Sequence, residues 1–180
     1  MKSLARFIAL MLLSLAATQI LWGVNTAGSS KWSAAGKAQA EEAWQKAIGK
    51  WRNQAGTLLF ELVDMNKADR EYHPSEPAKV EGYIRKVPLT WSTKIHADDL
   101  VFISQKVEGN TLSGQWIQAP QKGDCPKMPV DYSSCLLKID AAGETLTSKV
   151  ETKQYWHPKC EWSDKVVTET FTYYRVKSNK

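Results

Sequence analysis

The chain has little cysteine, little histidine and none of the short motifs that mark common enzymes. Its 180 residues include three cysteines and three histidines, which is too little cysteine for a disulfide-dense miniprotein. It contains no G-x-S-x-G, no P-loop, no H-E-x-x-H and no G-x-G-x-x-G. The histidines, His73, His96 and His157, lie in polar stretches that are typical of solvated loops. We therefore expect neither an enzyme nor a cofactor site.

Concentrated charge of one sign is also lacking. The chain has 24 Lys and Arg residues and 19 Asp and Glu residues, and the two signs alternate along it, as in residues 67–71. No basic run with interleaved aromatic residues occurs, so the footprint of a nucleic-acid-binding protein is missing. A composition of 43% hydrophobic and 24% charged residues is instead typical of one globular domain. We expect no nucleic-acid partner.

One long apolar run is present, and it lies at the N-terminus. Lys2 and Arg6 precede the uncharged residues 7–24, an arrangement typical of a secretory signal with cleavage near Ala17. The run has 18 residues, so it is also just long enough to span a bilayer. We expect residues 1–27 to be a signal peptide or an uncleaved membrane anchor. Either alternative predicts an exported protein, periplasmic or secreted.

A linker and one helix follow the apolar run. Residues 28–36 are small and polar, which is typical of a linker. An apolar stripe at helical spacing then predicts an amphipathic helix that begins at residue 37 and ends before Gly49. The stripe consists of Ala40, Ala43, Trp44, Ala47 and Ile48. We expect this helix to pack against the domain that follows, so that residues 37–180 form one unit.

From residue 57 onward the hydrophobic period changes to two, which indicates strands. The predicted strands are residues 57–63, 79–85, 99–105, 111–118, 133–140, 144–154 and 165–176, with 88–94 as a candidate eighth. Gly109-Asn110 and residues 141–143 predict hairpin turns between neighbouring strands. The sequence therefore predicts a mainly β fold of seven or eight antiparallel strands, either a sandwich or, as we favour, a closed barrel.

The start of the strand region resembles the calycins, the superfamily of lipocalins and avidins. Gly49-Lys50-Trp51 matches their G-x-W motif. In that superfamily the Trp packs across the closed end of the barrel, covered by a basic residue from the last strand. The resemblance implies these barrel-end roles for Trp51 and Arg175.

Part of the resemblance is closer to avidins. Residues 49–57 (GKWRNQAGT) are similar to the avidin opening GKWxNxxG[ST], whose Asn and Ser/Thr contact the ureido oxygen of biotin. This similarity implies contacts to biotin from Asn53 and Thr57. The sequence departs from the avidin pattern at Arg85, where a Ser is expected, and at Cys135, where a Trp is expected.

The cysteines carry information about strand register. If the hairpin turn lies at Ala142-Gly143, Cys135 falls opposite Val150, whereas a turn centred on Ala142 sets it opposite Lys149. We favour the first register, because cross-strand partners share a face and Cys135 alternates with apolar residues.

The favoured register also sets Cys125 opposite Cys160, and an oxidising compartment favours a disulfide between them. Cys135 would then remain a buried thiol. A zinc site of the three cysteines and His157 is the alternative, but the spacing is poor and no C-x-x-C is present. We predict the disulfide and no metal site.

Aromatic residues on the predicted strands suggest a function. Tyr83, Trp91, Trp116 and Tyr173 lie near small residues, where they either fill the core or form the wall of a ligand pocket. Our leading hypothesis is a non-catalytic carrier of a small, mostly apolar ligand.

The alternative hypothesis is a protein-interaction module, such as an adhesin, an inhibitor or an envelope assembly factor. It would bind a protein partner through the proline-rich loop 119–132. A biotin-binding protein and an unrecognised secreted enzyme are two further hypotheses.

Overall fold

The computed structural model describes residues 43–91, 94–121, 128–156 and 159–177. These residues belong to one compact unit, Ala40–Lys180. The predicted signal peptide or anchor (1–27) and the linker (28–36) lie outside the described residues.

Eight antiparallel strands of the described residues form a closed barrel in chain order, so the predicted mainly β barrel is confirmed. Each strand pairs with the next, and Trp51 pairs with Arg175 where the last strand meets the first. The elements are β1 (Gly49–Asn53), β2 (Leu59–Asp64), α1 (Lys67–Tyr72), β3 (Val80–Lys86), β4 (Leu100–Glu108), β5 (Thr111–Gln118), β6 (Asp131–Ile139), β7 (Thr145–Trp156) and β8 (Glu161–Arg175).

The eighth strand is β1 rather than residues 88–94. Within 88–94 only Trp91 pairs, through an isolated bridge to Gln121, while 92 and 93 lie outside the described residues. Pro88 has no N–H to donate to a neighbouring strand, which disfavours regular pairing there. β1 is short and carries Lys50 and Arg52, so it lacks the hydrophobic alternation that identified the other strands.

The helical residues are fewer than predicted and partly elsewhere. Residues 43–45 are helical, and Trp44 and Ala47 of the predicted stripe are buried in the core, while the beginning of the predicted helix lies outside the described residues. α1 was not predicted, because its residues are exposed or only half-buried and therefore show no apolar stripe. Its Arg70 lies over the ring of Trp44, with Cζ 5.0 Å from the ring centroid.

β7 and β8 are longer than their neighbours and extend past one end of the barrel. β6 pairs with β7 only as far as Cys135 and Val150, and β1 pairs with β8 only as far as Asn53 and Tyr173. The pairing of β7 with β8 continues to its last pair, Trp156 and Glu161. Among the described residues, 151–156 of β7 thus pair only with β8, and 161–172 of β8 pair only with β7; these two segments are called the β7–β8 ribbon, and they lie at the open end of the barrel.

Candidate ligand-binding site

The end of the barrel opposite the ribbon is filled by Trp51 and Arg175. Trp51 is fully buried and donates a hydrogen bond from Nε1 to the carbonyl oxygen of Ala47 at 2.7 Å. The guanidinium of Arg175 covers its ring, with Cζ 4.4 Å from the ring centroid. Arg175 also donates hydrogen bonds to the carbonyl oxygens of Lys46, Ile48 and Gly143. The structure therefore brings together the two residues that the calycin resemblance paired.

Gly49 makes room for this arrangement. Its φ is +125°, a backbone conformation that L side chains rarely adopt, and a Cβ there would lie 3.1 Å from Nη1 of Arg175. A glycine at the first position of the G-x-W motif thus lets the arginine approach the backbone of β1.

An aromatic cluster fills the middle of the barrel. The rings of Trp116 and Tyr173 stack with centroids 5.6 Å apart. Phe60 meets both edge-on, at 5.2 Å from Trp116 and 4.9 Å from Tyr173. The ring of Phe102 also contacts Trp116, with centroids 6.3 Å apart and the ring planes tilted by 46°. The cluster separates the filled end of the barrel from the open end.

A cavity of about 1020 Å³ lies above this cluster at the open end. Its walls come from β5, from the β7–β8 ribbon, from the turn between β1 and β2, and from the segment after β3. The aromatic lining residues are Trp91, Trp116, Trp162, Phe171, Tyr173 and Tyr174. The volume is just above the range usual for small-molecule sites, about 300–1,000 Å³.

Three of the four predicted wall residues, Trp91, Trp116 and Tyr173, line the cavity, and Tyr83 does not. Tyr83 lies on the outer face of β3, because Val80, Gly82 and Ile84 are the buried residues of that strand. The Tyr83 hydroxyl donates a hydrogen bond to Glu81, and this bond raises the pKa of the tyrosine. The assignment of Tyr83 to the ligand wall is therefore corrected.

The lining residues that were not predicted include Phe171 and Gln118. Phe171 is 42% exposed on the cavity side of the ribbon. Gln118 is buried at the end of β5 and connects three strands. Its Oε1 accepts hydrogen bonds from the hydroxyl of Ser133 at 2.7 Å and from the backbone N–H of Lys153 at 3.1 Å, and its Nε2 donates to the Lys153 carbonyl. Only alternation with Trp116 could have placed Gln118 inside the barrel.

An ion pair lies beside Gln118. Nζ of Lys153 is 2.7 Å from Oδ2 of Asp131. This hydrogen bond from Lys153 lowers the pKa of Asp131. The two contacts, one from Gln118 and one from Asp131, hold β7 where its backbone pairing with β6 has ended.

Asn53 and Thr57 of the avidin-like segment 49–57 form hydrogen bonds with each other at the mouth of the cavity. Oδ1 of Asn53 accepts hydrogen bonds from the backbone N–H groups of Thr57 and Leu58, at 2.9 and 3.1 Å. Nδ2 of Asn53 donates to the Thr57 hydroxyl at 2.8 Å. Arg85 points outward and pairs with Glu61 at 2.9 Å. In this structure Asn53 and Thr57 shape the β1–β2 turn.

The cysteines follow the favoured register where they are described. Cys135 pairs with Val150 across β6 and β7. It is a free, buried thiol, and burial raises its pKa to about 12. Cys160 lies in the turn between β7 and β8. Cys125 lies outside the described residues, so its disulfide with Cys160 stays a prediction.

Within the described part of the chain, no group of three or more His, Cys, Asp or Glu side chains is placed to hold a metal ion. His157 and Cys125, two residues of the zinc alternative, lie outside it.

The described part of the loop 119–132 packs against the barrel. Met128 is buried, and its carbonyl oxygen accepts a hydrogen bond from Nζ of Lys94 at 3.0 Å. The carbonyl oxygen of Pro129 accepts a hydrogen bond from Nε1 of Trp162 at 3.2 Å. Residues 131 and 132 belong to β6, and residues 122–127 lie outside the described residues.

The chain matches no protein-family model, no curated protein and no solved structure. None of the helices in its described ranges has the length and apolar character needed to cross a membrane. The closed barrel of eight antiparallel strands is compatible with a calycin-like fold.

Proposed function

We propose that this chain is an exported, non-catalytic binding protein that holds a small, mostly apolar ligand at the open end of a calycin-like barrel. The observation that carries the proposal is the cavity of about 1020 Å³ above the stacked rings of Trp116 and Tyr173. Apolar walls with a few polar groups are the usual lining of a small-ligand site. Binding would be driven by the removal of ligand and aromatic surface from water.

The polar lining groups favour a ligand with little charge. Lys153 is paired with Asp131, and Gln118 is occupied by Ser133 and the Lys153 backbone. Glu169 accepts a hydrogen bond from Thr152 at 3.1 Å. Because a buried ligand charge needs a partner, a strongly charged ligand would have to break one of these contacts.

The same contacts support a non-catalytic role. The lysine of the lining is held in an ion pair, and the Cys135 thiol has a pKa of about 12, which makes it a poor nucleophile. The apolar segment 7–24 supports export, with or without cleavage of the segment. The predicted disulfide between Cys125 and Cys160 would form in such a compartment.

The first experiment is native mass spectrometry of the chain purified from an oxidising compartment. We expect a bound mass that disappears on denaturation. The second experiment titrates the apolar fluorescent probe N-phenylnaphthylamine into wild type, Phe171→Ala and Leu136→Ala. Phe171 and Leu136 are 42% and 40% exposed, but Leu136 lies on the outer face of β6, so it is a matched control for lost apolar area.

We expect Phe171→Ala to weaken probe binding by roughly threefold to thirtyfold, because an aromatic wall contact is lost, and Leu136→Ala to leave it unchanged. Equal effects of the two substitutions would contradict binding in the cavity. A bare mass together with no probe binding would contradict the carrier function and favour a protein partner at loop 119–132.

A further inference from the structure

The outer edge of β8 offers unpaired backbone groups beyond the end of β1. The N–H of Val176 bonds to Lys50 of β1 at 2.9 Å, and the N–H of Arg175 bonds to Glu144 on the β7 side at 3.0 Å. Because successive residues of a strand direct their N–H and C=O groups to opposite sides, those of Val166, Thr168 and Thr170 point away from β7. β1 ends at Asn53, so no strand of the described residues covers this edge.

The two edges of the β7–β8 ribbon differ. On the β7 edge, the Gln118 side chain binds both the N–H and the C=O of Lys153, and Asp131 binds its ammonium group. The β8 edge has no such cover within the described residues, although residues 165–174 (KVVTETFTYY) have high strand propensity. Val166 on this edge is 50% exposed. An uncovered strand edge of this kind readily pairs with another strand.

We propose that the occupant of this edge is the same edge of a second copy of the chain. The two β8 strands would run antiparallel about a two-fold axis at Val167, which then lies opposite its own copy. Val166 of one copy would exchange both backbone hydrogen bonds with Thr168 of the other. The two ribbons would form a continuous four-stranded sheet, and the β1–β2 turn would limit the pairing near Tyr173.

Charge complementarity selects this register. With the axis at Val167, Lys165 of each copy lies opposite Glu169 of the other, so two opposite-charge pairs form by symmetry. An axis at Lys165 or at Glu169 would set that residue opposite its own copy, so that like charges face each other. An axis at Val166 or at Thr168 would set both Lys165 and Glu169 opposite uncharged residues. Cross-strand pairs of opposite charge stabilise a sheet and like charges destabilise it.

Both side chains are exposed and ready for this pairing. Lys165 has no ion-pair partner within the described residues, and Glu169 accepts only a hydrogen bond from the hydroxyl of Thr152 there. Val167 and Glu169 lie on one face of β8 by alternation, whereas Lys165 lies at the register shift opposite residues 153–155, so the proposed pairing includes extended pairing of β8 as far as Lys165. The edge is therefore complementary to itself.

Charge reversal tests the register. Sedimentation velocity over a dilution series should show a dimer for the wild-type chain. Lys165→Glu or Glu169→Lys alone should raise the dissociation constant of the dimer roughly tenfold or more, because each substitution creates two like-charge pairs. An equimolar mixture of the two variants should form a heterodimer of near wild-type affinity, and the double variant should form a homodimer. Misfolding cannot produce this rescue.

A covalent trap tests the axis. Val167→Cys should give a disulfide-linked dimer on a non-reducing gel in an oxidising buffer, because directly opposed positions have Cβ atoms within about 5.5 Å. Leu136→Cys, on the outer face of β6, should not. A monomeric wild type, a dimer insensitive to both charge reversals, or equal cross-linking of the two cysteine variants would overturn the proposal.

Discussion

Gln118 at the end of β5 binds the backbone of Lys153 on β7 as a neighbouring strand would. Its amide accepts a hydrogen bond from the Lys153 N–H at 3.1 Å and donates one to the Lys153 carbonyl. It does so just beyond the last backbone pair of β6 and β7, Cys135 with Val150. One side chain thus holds the base of the ribbon against the barrel beside the cavity.

Replacement of Gln118 by Ala should loosen the ribbon. The hydroxyl of Ser133 and the N–H of Lys153 would lose their partner, so we expect the free energy of unfolding to fall by about 1–3 kcal/mol. Hydrogen exchange at the amide of Lys153 should accelerate more than exchange at Val150. Gln115→Ala, at an exposed position of the same strand, is the control. It should change neither the free energy of unfolding nor the exchange rate of the Lys153 amide. An equal loss of stability in the two variants would contradict the bridging role of Gln118.

Arg175→Lys should destabilise the barrel although it keeps the charge. The planar guanidinium donates hydrogen bonds to the carbonyl oxygens of Lys46, Ile48 and Gly143 while it covers Trp51, and an ammonium group cannot do all of this at once. We expect a loss of about 2–4 kcal/mol in the free energy of unfolding, measured by urea denaturation.

The matched control for Arg175→Lys is Arg52→Lys, an exposed arginine on β1. It should change the free energy of unfolding by less than about 0.5 kcal/mol. If both substitutions cost the same, the closed-end contacts of Arg175 contribute nothing particular to stability.

The ion pair of Asp131 and Lys153 predicts a loss of stability in acid. Lys153 lowers the pKa of Asp131 in the folded chain, so the pair's contribution is fully present above the unfolded-state pKa of about 3.9. It is lost as the pH falls through the lower folded-state pKa. The stability difference between wild type and Asp131→Asn should therefore shrink between pH 5 and pH 2, conditions under which urea denaturation can be followed.

Lys153→Met provides the control for this pH dependence. Without the lysine, Asp131→Asn should have a much smaller pH-dependent effect. A difference of unchanged size in the Lys153→Met background would show that another group lowers the pKa of Asp131.

Hydrophobic alternation predicted most of the barrel because its strands have one buried and one exposed face. On β5 and β6 it gave the strands within two residues of their observed bounds, and it gave the register of Cys135 with Val150. It failed for β1, whose Lys50 and Arg52 leave Trp51 as the buried residue of the strand. Hydrophobic alternation also did not indicate that β7 and β8 continue beyond the barrel, because the length of a strand does not show with which other strands each part of it pairs.

The sequence predicted residues of the candidate site only where the local alternation of aromatic and small residues along a strand indicated them. Trp116 and Tyr173 were identified as aromatic residues on strands, and the same reasoning wrongly included Tyr83, although alternation with Gly82 and Ile84 places it on the outer face. Alternation with Trp116 could have placed Gln118 inside the barrel, but its contact with Lys153 could not have been predicted, because the two residues are 35 positions apart. A polar side chain that replaces a missing strand contact has no sequence signature.

Thiol counting tests the predicted disulfide and the burial of Cys135 together. With a pKa of about 12, Cys135 should react very slowly with dithionitrobenzoate at pH 8, because the thiolate is the reactive form. If Cys125 and Cys160 are paired, no thiol of the native oxidised chain should react rapidly. Denaturation without a reductant should expose one reactive thiol, and denaturation with a reductant should expose all three. Cys135→Ala should remove the thiol that denaturation alone exposes. Three thiols in the denatured, unreduced chain would contradict the disulfide, and fast native labelling that Cys135→Ala abolishes would contradict the buried position of Cys135.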